Sequence, residues 1–153
     1  MAEYDDLAKA VEAAGYEIFW LGSASGEQVR KLERLLSSPL PSSFKRFLEV
    51  YGGGGVVSAE ISGIEDGDVE NEFGGTVLFD TKECRELYSL PAHLIIIYYH
   101  DDEVCWCLDT SRYSANECPV VSYNLFTKKV DRDIASDFGS FIKQHLLLYT
   151  QSD

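Results

Sequence analysis

Positive charge is what this sequence has least of: 13 lysines and arginines stand against 26 aspartates and glutamates, for a formal charge of −13. So anionic a chain repels a phosphate backbone or an anionic membrane, and neither nucleic acid nor lipid is an expected partner. Long apolar runs are missing as well. The longest, residues 94–99, has the length of a strand, against the roughly 20 apolar residues of a membrane span. The first ten residues carry Glu3, Asp5 and Asp6 where an export signal would have basic and then apolar residues, so the expected location is the cytoplasm. Only four cysteines occur, Cys84, Cys105, Cys107 and Cys118, and in that compartment they are expected to be free thiols.

Catalytic signatures are missing too. None of His93, His100 and His145 has a nucleophile or carboxylate at a telling spacing. Residues 22–26 imitate a nucleophile elbow, but Ala24 stands where the serine would be. Gly52 to Gly55 follow a predicted helix, whereas a phosphate loop leads into one with Lys and Ser or Thr; the run reads as a helix stop. Cys105 and Cys107 share a strand face where Cys84 or Cys118 could join them on zinc, yet no paired Cys-x-x-Cys supports a metal, and small buried thiols are ordinary core. His100, Asp101, Asp102 and Glu103 could hold a divalent cation at a hairpin tip, but solvated polar residues belong there and calcium wants a longer loop. Trp20 and Trp106 are ligand platforms or, equally, packed core. No cofactor is expected, and no enzyme.

What the sequence does have is the material of one globular α+β domain across residues 1–153, with 45% apolar and 12% aromatic residues and neither repeat nor linker. Tyr4, Leu7, Ala8 and Val11 predict a helix over 3–14 and residues 16–21 read as extended. Ser25 and Gln28 make a capping-box pattern before Val29, Leu32, Leu35 and Leu36. Pro39 and Pro41 end that helix, and Ser42 is the predicted cap of the next, with Phe44, Phe47, Leu48 and Tyr51 as its stripe. Strands are predicted at 56–64, 76–79, 94–99, 104–108 and 120–123, the third and fourth as a hairpin about residues 100–103. Asp80 and Glu83 suggest the cap of a short helix bearing Cys84, Leu87 and Tyr88. Phe138, Phe141, Ile142 and Leu146 give a last helix to about residue 149.

The negative charge is concentrated. Between Phe47 and Asp80 eight carboxylates occur without one Lys or Arg, and from Phe47 to Ser111 the balance is −12. A solvated face explains such a run, and so does a docking surface that speeds encounter with a basic protein and rejects wrong partners. The candidate partner-binding residues are Glu65, Asp66, Asp68, Glu70 and Glu72 with Asp101, Asp102 and Glu103. They form a surface only if the fold gathers them.

Five blocks in register carry a family resemblance over about residues 25–149: Leu40-Pro41-Ser42-Ser43-Phe44-Lys45-Arg46-Phe47-Leu48 running into Tyr51-Gly52-Gly53-Gly54; Leu90-Pro91; Cys107-Leu108-Asp109-Thr110; Glu117-Cys118-Pro119-Val120; and Ala135, Ser136, Phe138 and Phe141. The chain resembles the SUKH superfamily in its Smi/Knr-like branch. The resemblance implies an α+β fold whose twisted, mostly antiparallel sheet is flanked by helices. It implies that bacterial relatives are often immunity proteins: non-catalytic cytoplasmic antitoxins that bind and neutralise a polymorphic toxin, frequently a nuclease. Together with the acidic run, this makes a cognate basic toxin domain the expected partner. Other Smi/Knr-like relatives are scaffold or regulatory binding modules. Most residues carrying the resemblance, such as Pro41, Phe44, Gly52, Gly53, Asp109 and Phe138, look like packing and turn residues. The hairpin tip departs from relatives that have glycine there.

Overall fold

The computed structural model describes residues 3–70 and 75–151. Helix α1 (Asp5–Ala13) buries Ala8 and Val11, and strand β1 (Ile18–Trp20) follows it. Helix α2 (Gly26–Leu36) begins where Ser25 Oγ accepts from the Gln28 amide at 3.1 Å, buries Val29, Leu32 and Leu36, and stops at Ser37, in the left-handed region. Helix α3 (Ser42–Val50) turns Phe44, Phe47 and Leu48 inward. There they meet Phe138, with ring centroids 4.8 Å from Phe44 and 5.1 Å from Phe47. Each such buried side chain is worth about 1.5–3 kcal/mol of transfer free energy, so this knot of rings anchors the helical side of the domain.

Then come β2 (Gly54–Val56), α4 (Val77–Tyr88), β3 (Leu94–Tyr98), β4 (Val104–Asp109), β5 (Val120–Asn124), β6 (Lys129–Ala135) and α5 (Phe138–Leu147). Every strand pairing is antiparallel: β1 with β2, and β3-β4-β5-β6 as a four-stranded sheet. The architecture is α+β, as expected. The period of two in β3 sorts its side chains to opposite faces. Ile95 and Ile97 join Leu108, Val120, Phe138 and Phe141 in the main core, while Leu94 and Ile96 join Cys84, Cys105, Cys107, Val121 and Tyr123 in a second core under α4. With both faces covered, all four strands except β6 are nearly continuous in burial.

The glycine run does more than stop α3. All four residues have positive φ, and a Cβ on Gly52 would stand 1.8 Å from the Gly22 carbonyl oxygen, one on Gly54 2.3 Å from that of Phe19. Backbone passes directly against backbone here, so only glycine fits.

Several expectations need correction. Pro41, not Ser42, holds the N-cap of α3; proline has no amide to lose there, and Ser43 instead ties the helix start to Glu117 through Oγ at 2.7 Å and its amide at 2.9 Å. Of predicted strand 56–64 only the first residue lies in a strand: Ser58 takes φ 77° and folds the chain back until Ile61 bridges Gly54. Residues 76–79 are not a strand but the start of α4, with Thr76 as its N-cap. Val77 and Leu78 are buried in the core, and a four-residue apolar run has no period by which to tell helix from strand. Asp80 therefore lies inside the helix and does not cap it. Strand β6 was not predicted. Its first five residues are exposed, so no alternation of burial marks it in the sequence.

Candidate functional site: an acidic cleft

The turn after Ser58 and the early start of α4 bring separate carboxylates to one place. A half-open cleft of about 670 Å³ is walled by the segment after β2, the first turns of α4, and the β3–β4 turn. Glu60, Glu65, Asp80, Glu83 and Asp101 line it, and among the described lining residues there is no lysine or arginine. Phe19, Phe79 and Tyr99 supply apolar wall, Phe19 with 60% of its surface exposed. His100 stands at the rim, its Nε2 3.1 Å from the Glu60 carbonyl oxygen and its ring 4.4 Å from that of Tyr98.

Asp80 is the deepest of these acids, 1% exposed. Its carboxylate accepts from Ser62 Oγ at 2.8 Å and, at 3.3 Å, from the Gly75 amide. Burial pushes its pKa up to about 6; the Ser62 and Gly75 bonds oppose the rise, and the neighbouring Glu83 and Asp101 charges add to it. Ser62 also donates its amide to the Ile97 carbonyl at 2.8 Å, and Thr81 Oγ1 accepts from the Ile96 amide at 3.0 Å. The free edge of β3 is thus sealed by Ser62, which lines the cleft, and by Thr81 of α4.

The structure places the sequence-predicted residues in three situations. Glu65 and Asp101 line the cleft. Asp66, Asp102 and Glu103 are exposed on the flanking turns, where one Asp102 oxygen accepts from the Glu103 amide at 2.7 Å. Asp68 and Glu70 belong to a turn fastened to α2: the Val69 amide bonds Gln28 Oε1 at 3.0 Å, Asp68 accepts from the Glu70 amide at 3.0 Å, and Glu70 pairs with Lys31 at 2.9 Å. Among the described residues Glu70 is the only one of the predicted set in an ion pair; Glu72 lies outside the described residues. Glu60, Asp80 and Glu83 were missed as site residues. The one-signed segment held the signal for the first two, but the capping-box pattern drew Asp80 and Glu83 to a local role.

Other candidates resolve differently. Trp20 packs 4.4 Å from Tyr51 and Trp106 stacks 4.1 Å from Tyr98, both partly buried core. The four cysteines are buried free thiols; Cys105 and Cys107 Sγ lie 3.6 Å apart, and burial raises the Cys107 thiol well above its ordinary value. No group of three or more His, Cys, Asp or Glu side chains among the described residues could hold a metal ion. Asp109 ends β4 and fastens the loop that follows: burial alone would raise its pKa, but the Ser111 hydroxyl and amide and the Arg112 guanidinium at 3.0 Å outweigh that and hold it low. No described helix is long and apolar enough to cross a membrane.

Fold and surface define an α+β domain with packed cores and an anionic cleft among short turns. The family model for SUKH_5, described as SMI1-KNR4 cell-wall, matches residues 5–147, and the chain belongs to that family. Proteins of this family are in general non-catalytic, and immunity-type protein binding is among the roles consistent with membership.

Proposed function

We propose that this chain is a non-catalytic cytoplasmic immunity protein that neutralises a cognate basic toxin domain, such as a nuclease, by stoichiometric binding through the acidic cleft and its flanking turns. A nuclease must present lysines and arginines to phosphate, and carboxylates at fixed positions compete for those same side chains. The single observation that carries the reading is the meeting of Glu60, Glu65, Asp80, Glu83 and Asp101 in one cleft with no lysine or arginine among its described lining residues. An interface of ordinary size, about 1,600 Å² in total, fits one side of such a domain.

Co-expression with the basic C-terminal domain of a large toxin encoded beside the gene is expected to restore growth. Reversing Glu65, Asp101, Asp102 and Glu103 to lysine is expected to abolish rescue while the folded protein still accumulates. Full rescue by the reversed protein would remove the electrostatic mechanism. A second reading, a scaffold or regulatory module, is favoured by the cell-wall description of the family model. It predicts no rescue of any adjacent toxin and a stable complex with a non-toxic partner of the same cell.

A further inference from the structure

Within that reading, on which this inference rests, the cleft is selective for more than charge. Its volume of about 670 Å³ is ample for one long side chain. Its acids come from separate pieces of chain: Glu60 and Glu65 follow β2, Asp80 and Glu83 lie on α4, and Asp101 follows β3. Among the described residues, Asp80 is short of donors. A carboxylate offers about four acceptor positions, and Asp80, almost wholly buried, has one good bond from Ser62 and one long bond from Gly75 while lining the cleft. Phe19 is the other anomaly, a phenyl ring largely in water at the cleft wall.

We propose that the cleft is an arginine receptor: the guanidinium of an arginine projecting from the cationic partner lies against the aromatic wall and forks its N–H donors onto Asp80 and the carboxylates facing it. A guanidinium is planar, weakly hydrated and armed with five donors in a fixed plane, so it can meet acids on several sides and stack on Phe19, Phe79 or Tyr99. A lysine ammonium is a compact, strongly hydrated point charge. It would lose more hydration on entering and would leave the aromatic wall and some of the acids unused. Burial of Asp80 raises its affinity for protons, and among the described residues no lysine or arginine pairs with it.

The test uses the whole protein, isotope-labelled, with two synthetic ten-residue Gly/Ser peptides as probes, one carrying three arginines and the other three lysines at the same positions. The arginine peptide is expected to shift the amides of Gly75, Phe79 and Asp101 and to bind about tenfold more tightly than the lysine peptide. Phe19→Ala and Glu83→Gln are each expected to erase most of that preference, and Asp131→Asn on β6 to leave it intact. Equal binding of the two peptides at the cleft would overturn the arginine receptor and leave the docking of a cationic toxin standing. No shift of cleft amides by either peptide at about 1 mM, weaker than any specific site of this kind, also overturns the receptor. Toxin rescue that is lost on charge reversal would still uphold the broader reading, so the two failures are distinguishable.

Discussion

At the scale of single residues, two buried titratable groups should tilt stability with pH in opposite directions. Asp80 has its pKa raised by burial from 3.8 to about 6. The folded state therefore binds its proton more tightly than the unfolded state does. That contribution is complete below pH 3.8 and is lost as the pH rises through 6, at a cost on the order of 2–3 kcal/mol. Urea unfolding from pH 4 to 7 is expected to show Asp80→Asn gaining on the natural chain across this window; a constant difference would contradict the burial argument. His145 does the reverse. Its ring is enclosed by Tyr98, Trp106, Phe141 and Tyr149, its Nε2 lies 2.9 Å from the Ala59 carbonyl, and burial lowers its pKa from 6.5, with the Ala59 bond opposing and the His100 charge assisting. The neutral ring's contribution is full above pH 6.5 and fades as the pH falls, so the deficit of His145→Gln is expected to shrink in acid.

At the scale of elements, α4 decides both the fold's second layer and the site. Its Thr81 hydroxyl satisfies the Ile96 amide on the edge of β3, and both residues are fully buried. Thr81→Val keeps the shape and removes the acceptor, so it is expected to cost about 1–3 kcal/mol in urea unfolding and to speed exchange of the Ile96 amide selectively. This helix also marks where the sequence was hard to read. Helices with a long apolar stripe, α2 and α5, were plain from periodicity, and so were β3 and β4, whose runs are long and bounded by turn formers. Thr76 to Phe79 was misread because four apolar-leaning residues fit either period, and burial of Val77 and Leu78 against distant residues made the choice. β6 was invisible for the opposite reason: a mostly exposed edge strand held by the β5 ladder carries no pattern of its own.

At the scale of the whole molecule, sequence order located the charge and the fold determined which part of it is free to act. Glu65 and Asp101 are 36 positions apart yet line one cleft, which no local pattern could announce. Glu70, five residues from Glu65, is already offset by Lys31. That contrast makes a prediction about association kinetics. Exposed carboxylates without a cationic neighbour steer a basic partner over roughly a Debye length, about 8–10 Å at ordinary salt, whereas a paired one contributes little net field. If the proposed toxin partner holds, Asp101→Asn and Asp102→Asn are therefore each expected to slow association with that basic domain several-fold at low ionic strength and to flatten its salt dependence. Glu70→Gln is expected to leave the rate nearly unchanged and to cost no more than about 1 kcal/mol of stability, the ordinary worth of an exposed pair. Stopped-flow association at several salt concentrations checks all three, and slowing by Glu70→Gln equal to that by Asp101→Asn would mean that net charge, rather than the arrangement of the cleft, governs encounter.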